Sequence, residues 1–218
     1  MVQKFTVNQF IAHPRFNRRR HENDIALIRL SSIVEYNDIV RPICIIVDDA
    51  VHFAKDVHAS VFGWGVTSPN SDASDQINTI EVKRQSRSEC FESLNRAISI
   101  SDEQICARAL NGGDSCAGDS GGPLGADYTY QGKTSYVQIG IVSSGLGTCD
   151  NSGIYTNVES HQTWIVNTVK KYAGHLFDEC GRYFPDEIAV RLSEGPQRYI
   201  AGTLITDRKY LLFIRDRK

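Results

Sequence analysis

Asp114-Ser115-Cys116-Ala117-Gly118-Asp119-Ser120-Gly121-Gly122-Pro123-Leu124 is the stretch whose reading decides the rest of the chain. It sets a candidate nucleophile, Ser120, among glycines, with an acid directly before it, Cys116 four residues before it and Asp114 six before it. A serine hydroxyl is a weak nucleophile at neutral pH. Acyl transfer needs it beside a base, and beside donors for the oxyanion that forms when it attacks a carbonyl. Gly118, Gly121 and Gly122 let the backbone come close to a substrate and point amide N–H groups at such an oxyanion.

Composition sets wider bounds. The 218 residues allow one domain and part of another, and 41% hydrophobic with 23% charged residues is ordinary for a soluble globular chain. A net charge of -2 argues against nucleic acid as a general partner. No apolar run approaches the roughly 18 residues of a membrane span, and Met1-Val2-Gln3-Lys4-Phe5-Thr6 lacks the apolar core of a secretory signal. The six cysteines (Cys44, Cys90, Cys106, Cys116, Cys149 and Cys180) match neither a paired zinc pattern nor a thioredoxin motif, so a disulfide framework is expected. Disulfides imply an oxidising, extracellular compartment, which conflicts with the missing signal. The expectation is that the natural start lies upstream of Met1.

Gly118-Asp119-Ser120-Gly121-Gly122 also satisfies the glycine-x-serine-x-glycine pattern of an α/β-hydrolase nucleophile elbow. An elbow needs a helix directly after the serine, and two glycines followed by Pro123 make a poor first turn. Gly-Asp-Ser-Gly-Gly-Pro instead closely resembles the active-site serine segment of the chymotrypsin and trypsin family. That resemblance implies Ser120 as nucleophile, the N–H groups of Gly118 and Ser120 as oxyanion hole, and Asp119 as the buried acid that pairs with a freshly cut N-terminus. It implies Asp114 as the base of the primary specificity pocket, where a carboxylate selects Arg or Lys. On local sequence alone Asp114 reads as a turn residue after Gly112-Gly113; its spacing to Ser120 reverses that preference.

The resemblance extends along the chain. Asn23-Asp24-Ile25-Ala26-Leu27 is similar to the segment carrying the family's triad aspartate, and Arg41-Pro42-Ile43-Cys44 to the linker between its two barrels. Residues 57–67, with Gly63-Trp64-Gly65, resemble the strand that opens the second barrel. The family would pair Cys90 with Cys106 and Cys116 with Cys149. Ser143-Ser144-Gly145 resembles the edge that pairs with substrate backbone, with Gly145 and Gly153 as pocket walls; Ser144 is a departure, since a large aromatic often sits there. Ala59 and Ala126 stand where many relatives carry a third disulfide; losing both ends together leaves no orphan thiol and fits branches such as the clip-domain proteases of invertebrates. The segment from Gly153 to Val166 looks like the last strand and C-terminal helix.

The implied fold is all-β, a trypsin-like double β-barrel. Residues 1–46 form a partial first barrel and linker, 47–173 a complete second barrel with its helix, and 174–218 a tail that faintly resembles the opening of a second protease module. Ser88-Glu89-Cys90-Phe91 has a helix-start signature, and the arginine-rich stretch from Arg15 to His21 reads as a solvated loop.

The family's catalytic histidine would lie well before Asp24. His13 and His21 lack its context, and His52, His58, His161 and His175 follow the aspartate. All six are expected to be surface or structural. The resulting expectation is a trypsin-like serine endopeptidase present as an incomplete chain, inactive as written because the triad histidine is missing. Its partners would be protein or peptide substrates with Arg or Lys, protease inhibitors and cascade proteins, with no cofactor and no metal. The alternative is a non-catalytic homologue that binds cascade partners through the same surface. A distant third reading is an α/β-hydrolase using Ser120, Asp150 and His161.

Overall fold

Alternation builds the larger unit. In β3 (His58–Gly63) Ala59, Val61 and Gly63 are buried while the residues between them are not, the period of a strand with one face on a core. A computed structural model describes residues 3–40, 42–46, 52–54, 56–130, 133–149, 152–173, 203–205 and 210–213. In it β3 joins β4 (Asn78–Arg84), β5 (Gln104–Ala109), β6 (Pro123–Tyr130), β7 (Lys133–Ser144) and β8 (Ser152–Asn157) in a closed barrel of order β3-β4-β5-β8-β7-β6. Pairing of Ser60 with Gly125 and Val61 with Leu124 closes it, so no strand edge of this unit is left open. Val61, Val82, Ile105, Leu124, Ile139 and Tyr155 fill its interior. Ala59 and Ala126 are buried in the same cluster.

The other sheet is smaller. β1 (Val7–Ala12) pairs antiparallel with β2 (Ala26–Leu30), whose apolar run is buried at every position except Arg29. β9 (Thr203–Ile205) and β10 (Tyr210–Phe213) complete the order β1-β2-β10-β9. The expected complete second barrel and partial first one are both present.

Ile25 and Leu27 at the start of β2 pack with Ile141 of β7 and with Val158, Ile165 and Val169. The last two lie on α2 (Gln162–Ala173), entered through a 3-10 turn at Glu159–His161. The helix therefore stitches the partial sheet to the barrel.

The short helix α1 (Arg87–Ser93) starts at a different residue from the one expected. Ser86 is the N-cap, and Glu89 reaches back to it in a capping box. A hydroxyl one residue outside the first turn can accept from the orphan N–H groups, which Ser88 inside the helix cannot. The helix carries Cys90 onto β5, where it is bonded to Cys106. Arg15, Arg18, Arg19 and Arg20 are exposed in the loop between β1 and β2, as a solvated loop requires.

Candidate active site

Ser120 sits at the tip of a turn whose amides are mostly committed. Asp119 N–H donates to Cys116 O at 3.0 Å, Gly122 N–H to Asp119 O at 2.8 Å, and Gly121 N–H to Val142 O at 3.0 Å. Among the described residues no acceptor takes the amides of Gly118 and Ser120, and both residues are exposed. Two open donors beside an exposed hydroxyl are what an oxyanion site needs. Gly118 has φ +99, a left-handed value, and a Cβ there would also stand 3.0 Å from Gly65 Cα. Only glycine fits.

Asp114 lies six residues upstream, 9% exposed, accepting from the Ser115 amide at 2.7 Å. Its carboxylate faces two glycines. A Cβ on Gly145 would stand 3.6 Å from Asp114 Oδ2, and one on Gly153 2.7 Å from Oδ1. The structure thus brings Asp114, Gly145 and Gly153 together, and the Cys116–Cys149 disulfide joins the segments that carry them. The Tyr155 hydroxyl lies 3.4 Å from Ser115 Oγ. Burial, and then the charges of Asp114 and Asp119, push Tyr155 far above the usual phenol range, so it stays neutral.

The Asp119 carboxylate is bonded to the segment that follows β3, at Gly65. Its Oδ1 accepts from Gly65 N–H at 2.7 Å and its Oδ2 from Cys116 N–H at 2.9 Å. A side chain at either Gly63 or Gly65 would overlap this carboxylate. Burial raises its pKa, and the two backbone donors only partly offset that. Gly63, Gly65, Gly113, Asp114, Ser115 and Asp119 contribute to one cleft of about 210 Å³. A larger groove of about 840 Å³ runs along β4, α1 and β5, mixes basic and acidic side chains, and does not include Ser120.

Asp24, 1% exposed, is held by the barrel. Ser143 Oγ donates to Asp24 Oδ2 at 2.7 Å, and Thr156 Oγ1 donates to Asp24 O at 2.8 Å. Its loop is moored as well: Asn23 Nδ2 donates to Glu103 Oε2 at 2.7 Å, and Gln104 Nε2 donates to the carbonyls of Arg20 and His21 at 3.1 and 3.2 Å. Since Gly121 is bonded to Val142 and Ser143 to Asp24, the Ser120 turn and Asp24 converge on one end of β7. The Ser143 contact was not read from the sequence, which placed Ser143 only on the substrate edge. Its one signal was burial parity: in Val137–Ser143 a polar residue ends an apolar run.

The described histidines have other contacts. His13 is buried against His161 and Trp164, with ring centroids 5.4 and 4.9 Å away. His161 Nδ1 is 2.7 Å from Asn157 O, His52 pairs with Glu159, and His58 begins β3 opposite Lys83. The contacts of His161 are with Asn157, Ser160 and His13, away from the Ser120 turn. Asp150, His175 and Cys180 lie outside the described residues, as does Arg41 of the linker. Among the described residues Cys44 has no disulfide partner. Among the described residues no group of His, Cys, Asp and Glu is placed to hold a metal ion, and no helix is long and apolar enough to cross a membrane.

Comparison with known proteins agrees with this geometry. The family described as Trypsin matches residues 1–165. The chain is 35% identical to Serine protease grass of Drosophila melanogaster, over 75% of this chain and 44% of that protein. It is 34% identical to CLIP domain-containing serine protease B15 of Anopheles gambiae, over 78% and 48%. It is 39% identical to Trypsin-1 of Astacus astacus, over 75% and 67%. The chain spans about half the length of the curated clip-domain relatives it matches. The closed barrel, the glycine-lined carboxylate and the Ser120 turn are thus those of a protein that belongs to the trypsin family.

Proposed function

We propose that this chain carries the nucleophile and specificity half of a trypsin-like serine endopeptidase that cuts after Arg or Lys. Ser120 attacks the scissile carbonyl, its proton passes to a histidine base, and the Gly118 and Ser120 amides hold the oxyanion. The base then gives that proton to the leaving amine, and water hydrolyses the ester to restore Ser120. Asp24 orients the base, Ser143 and Gly145 border the substrate strand, and Asp119 receives an ammonium group on activation. The observation that carries the specificity is Asp114 facing Gly145 and Gly153, since a glycine-walled slot ending in a carboxylate fits a long cationic side chain.

In this reading the histidine lies on a segment outside these 218 residues, and residues 1–46, 47–173 and 174–218 are barrel remnant, complete barrel and added module. Two disulfides support an extracellular setting. The clip-domain relatives support a place in a protease cascade, with protein substrates and inhibitors as partners. One observation favours the second reading, a non-catalytic homologue: His13, His52 and His161 make contacts other than with Ser120. An aryl phosphonate with an arginine-like side chain separates the two in the native protein. A mass increase located on Ser120 supports the endopeptidase; an unlabelled Ser120 leaves the binding homologue.

A further inference from the structure

Strand β2 has two neighbours, and one comes from the far end of the chain. β1 lies on one side of it and β10 on the other, with β9 beyond. The β10 register is antiparallel and unbroken: Tyr210 faces Arg29, Leu211 faces Ile28, Leu212 faces Leu27, and Phe213 faces Ala26. β2 is buried on nearly all of its length, so unpaired N–H and C=O groups along its edge would be costly. Residues 174–202 separate α2 from β9, and that many residues reach up to roughly 95 Å when extended. The connection therefore sets no obstacle to pairing within one chain.

Direction gives the pairing a consequence. Because β10 runs antiparallel to β2, its last residue, Phe213, lies across from Ala26, two residues from Asp24. Any strand added to this edge in this orientation delivers its next residues beside Asp24.

We propose that β9 and β10 are a self-complementing plug: the chain's own late strands fill, by strand addition, the edge of β2 that a base-bearing strand would need, and the two compete for it. Strand addition draws its affinity from main-chain hydrogen bonds, so one apolar strand can replace another. Tyr210-Leu211-Leu212-Phe213 supplies such a strand. The competition rests on the reading of Ser120 and Asp24 as an acyl-transfer pair; the pairing of β10 with β2 does not.

The test uses the full chain carrying Arg29→Cys and Tyr210→Cys, oxidised after folding and mapped by mass spectrometry. Directly opposed residues stand about 5 Å apart across an antiparallel pair, within disulfide reach. The expected result is a 29–210 link within the monomer, at least tenfold more than in an Arg29→Cys, Leu211→Cys control whose second cysteine is one residue out of register. No link, equal linking in both chains, or a link found only between copies overturns the intrachain plug. A labelled peptide of residues 203–213 is then added to the reduced and the oxidised protein. Binding at least tenfold tighter to the reduced form shows that the edge exchanges its strand. Equal binding or none overturns the competition. Neither readout involves Ser120 reactivity, so failure of the plug and failure of the protease reading remain distinct.

Discussion

Ser143 Oγ donates to Asp24 Oδ2 across 2.7 Å, joining the end of β7 to the loop that precedes β2. Both residues are buried, and the acceptor is a carboxylate, so the bond is of the charge-assisted kind. Ser143→Ala removes the donor and leaves the carboxylate short of a partner in a dry site. The expected loss is about 2 kcal/mol of unfolding free energy, measured by urea denaturation. Ser144→Ala, next in sequence and half-buried, serves as control and should change stability by less than about 0.5 kcal/mol. Equal losses in the two variants would show that the Asp24 contact contributes nothing special.

The slot at Asp114 is tested by a small aryl amidine, which needs neither a base nor an acyl group. The wild-type chain is expected to bind it. Asp114→Ser removes the charge partner and Gly153→Val fills the space 2.7 Å from the carboxylate; each should weaken binding at least tenfold, equivalent to about 1.4 kcal/mol. Fluorescence titration of a p-amino amidine reads this directly. Binding unchanged in Gly153→Val would place the cation elsewhere.

The parts of the fold and site that could be read from the chain were those encoded locally. The glycines around Ser120 could be read as a place of close backbone approach, and Gly118 does adopt a left-handed φ that excludes other residues. Gly145 and Gly153 beside Asp114 came from the family resemblance, since nothing local ties residues so far apart in sequence. The bond from Ser143 to Asp24 was not legible, because strand parity says which face a side chain is on and not what it meets there. Nor was the pairing of β10 with β2, since any apolar strand of suitable length can satisfy an edge. The helix-start signature at Ser88 falls two residues past the actual N-cap, although Ser86 followed three residues later by Glu89 is the capping-box spacing that marks the true start.

The buried imidazoles set the acid side of the stability curve. Burial, with His161 and Arg15 nearby, holds His13 down to about 4, and burial lowers His161 despite Asn157 O and Glu103. Both folded values lie below the ordinary 6.5, so the unfolded chain binds protons that the folded chain refuses. Their contribution is fully present above pH 6.5 and is lost as pH falls through the folded values, toward about 4 for His13. Asp119 has the opposite sign: its raised folded pKa favours folding at low pH, and that contribution fades as pH rises above 3.8. His13→Phe keeps an aromatic ring against Trp164 and removes one titration. The slope of stability between pH 6.5 and 4 should then fall, by up to about 1.4 kcal/mol per pH unit for a single group. Thermal melts across that range check it, and an unchanged slope would mean that His13 takes up its proton in the folded state.

Gly65 and Asp119 constrain each other at the cleft. The Gly65 amide donates to Oδ1 at 2.7 Å, while a Cβ on the same residue would stand 2.5 Å from Oδ1 and 2.6 Å from Cγ. Nothing flexible can give way, because Oδ2 is tied to the Cys116 amide beside the disulfide. Gly65→Ala should therefore cost about 2 kcal/mol by overpacking, seen as a lower urea midpoint at unchanged slope. Asp119→Ala alone removes a carboxylate that accepts two backbone donors and leaves both buried amides without it. Combined, the two changes should cost less than their sum by more than about 0.5 kcal/mol, because the methyl enters space the carboxylate has vacated. Strict additivity would mean that the clash is relieved by movement of the β3 end, and that the cleft adapts where this geometry has it fixed.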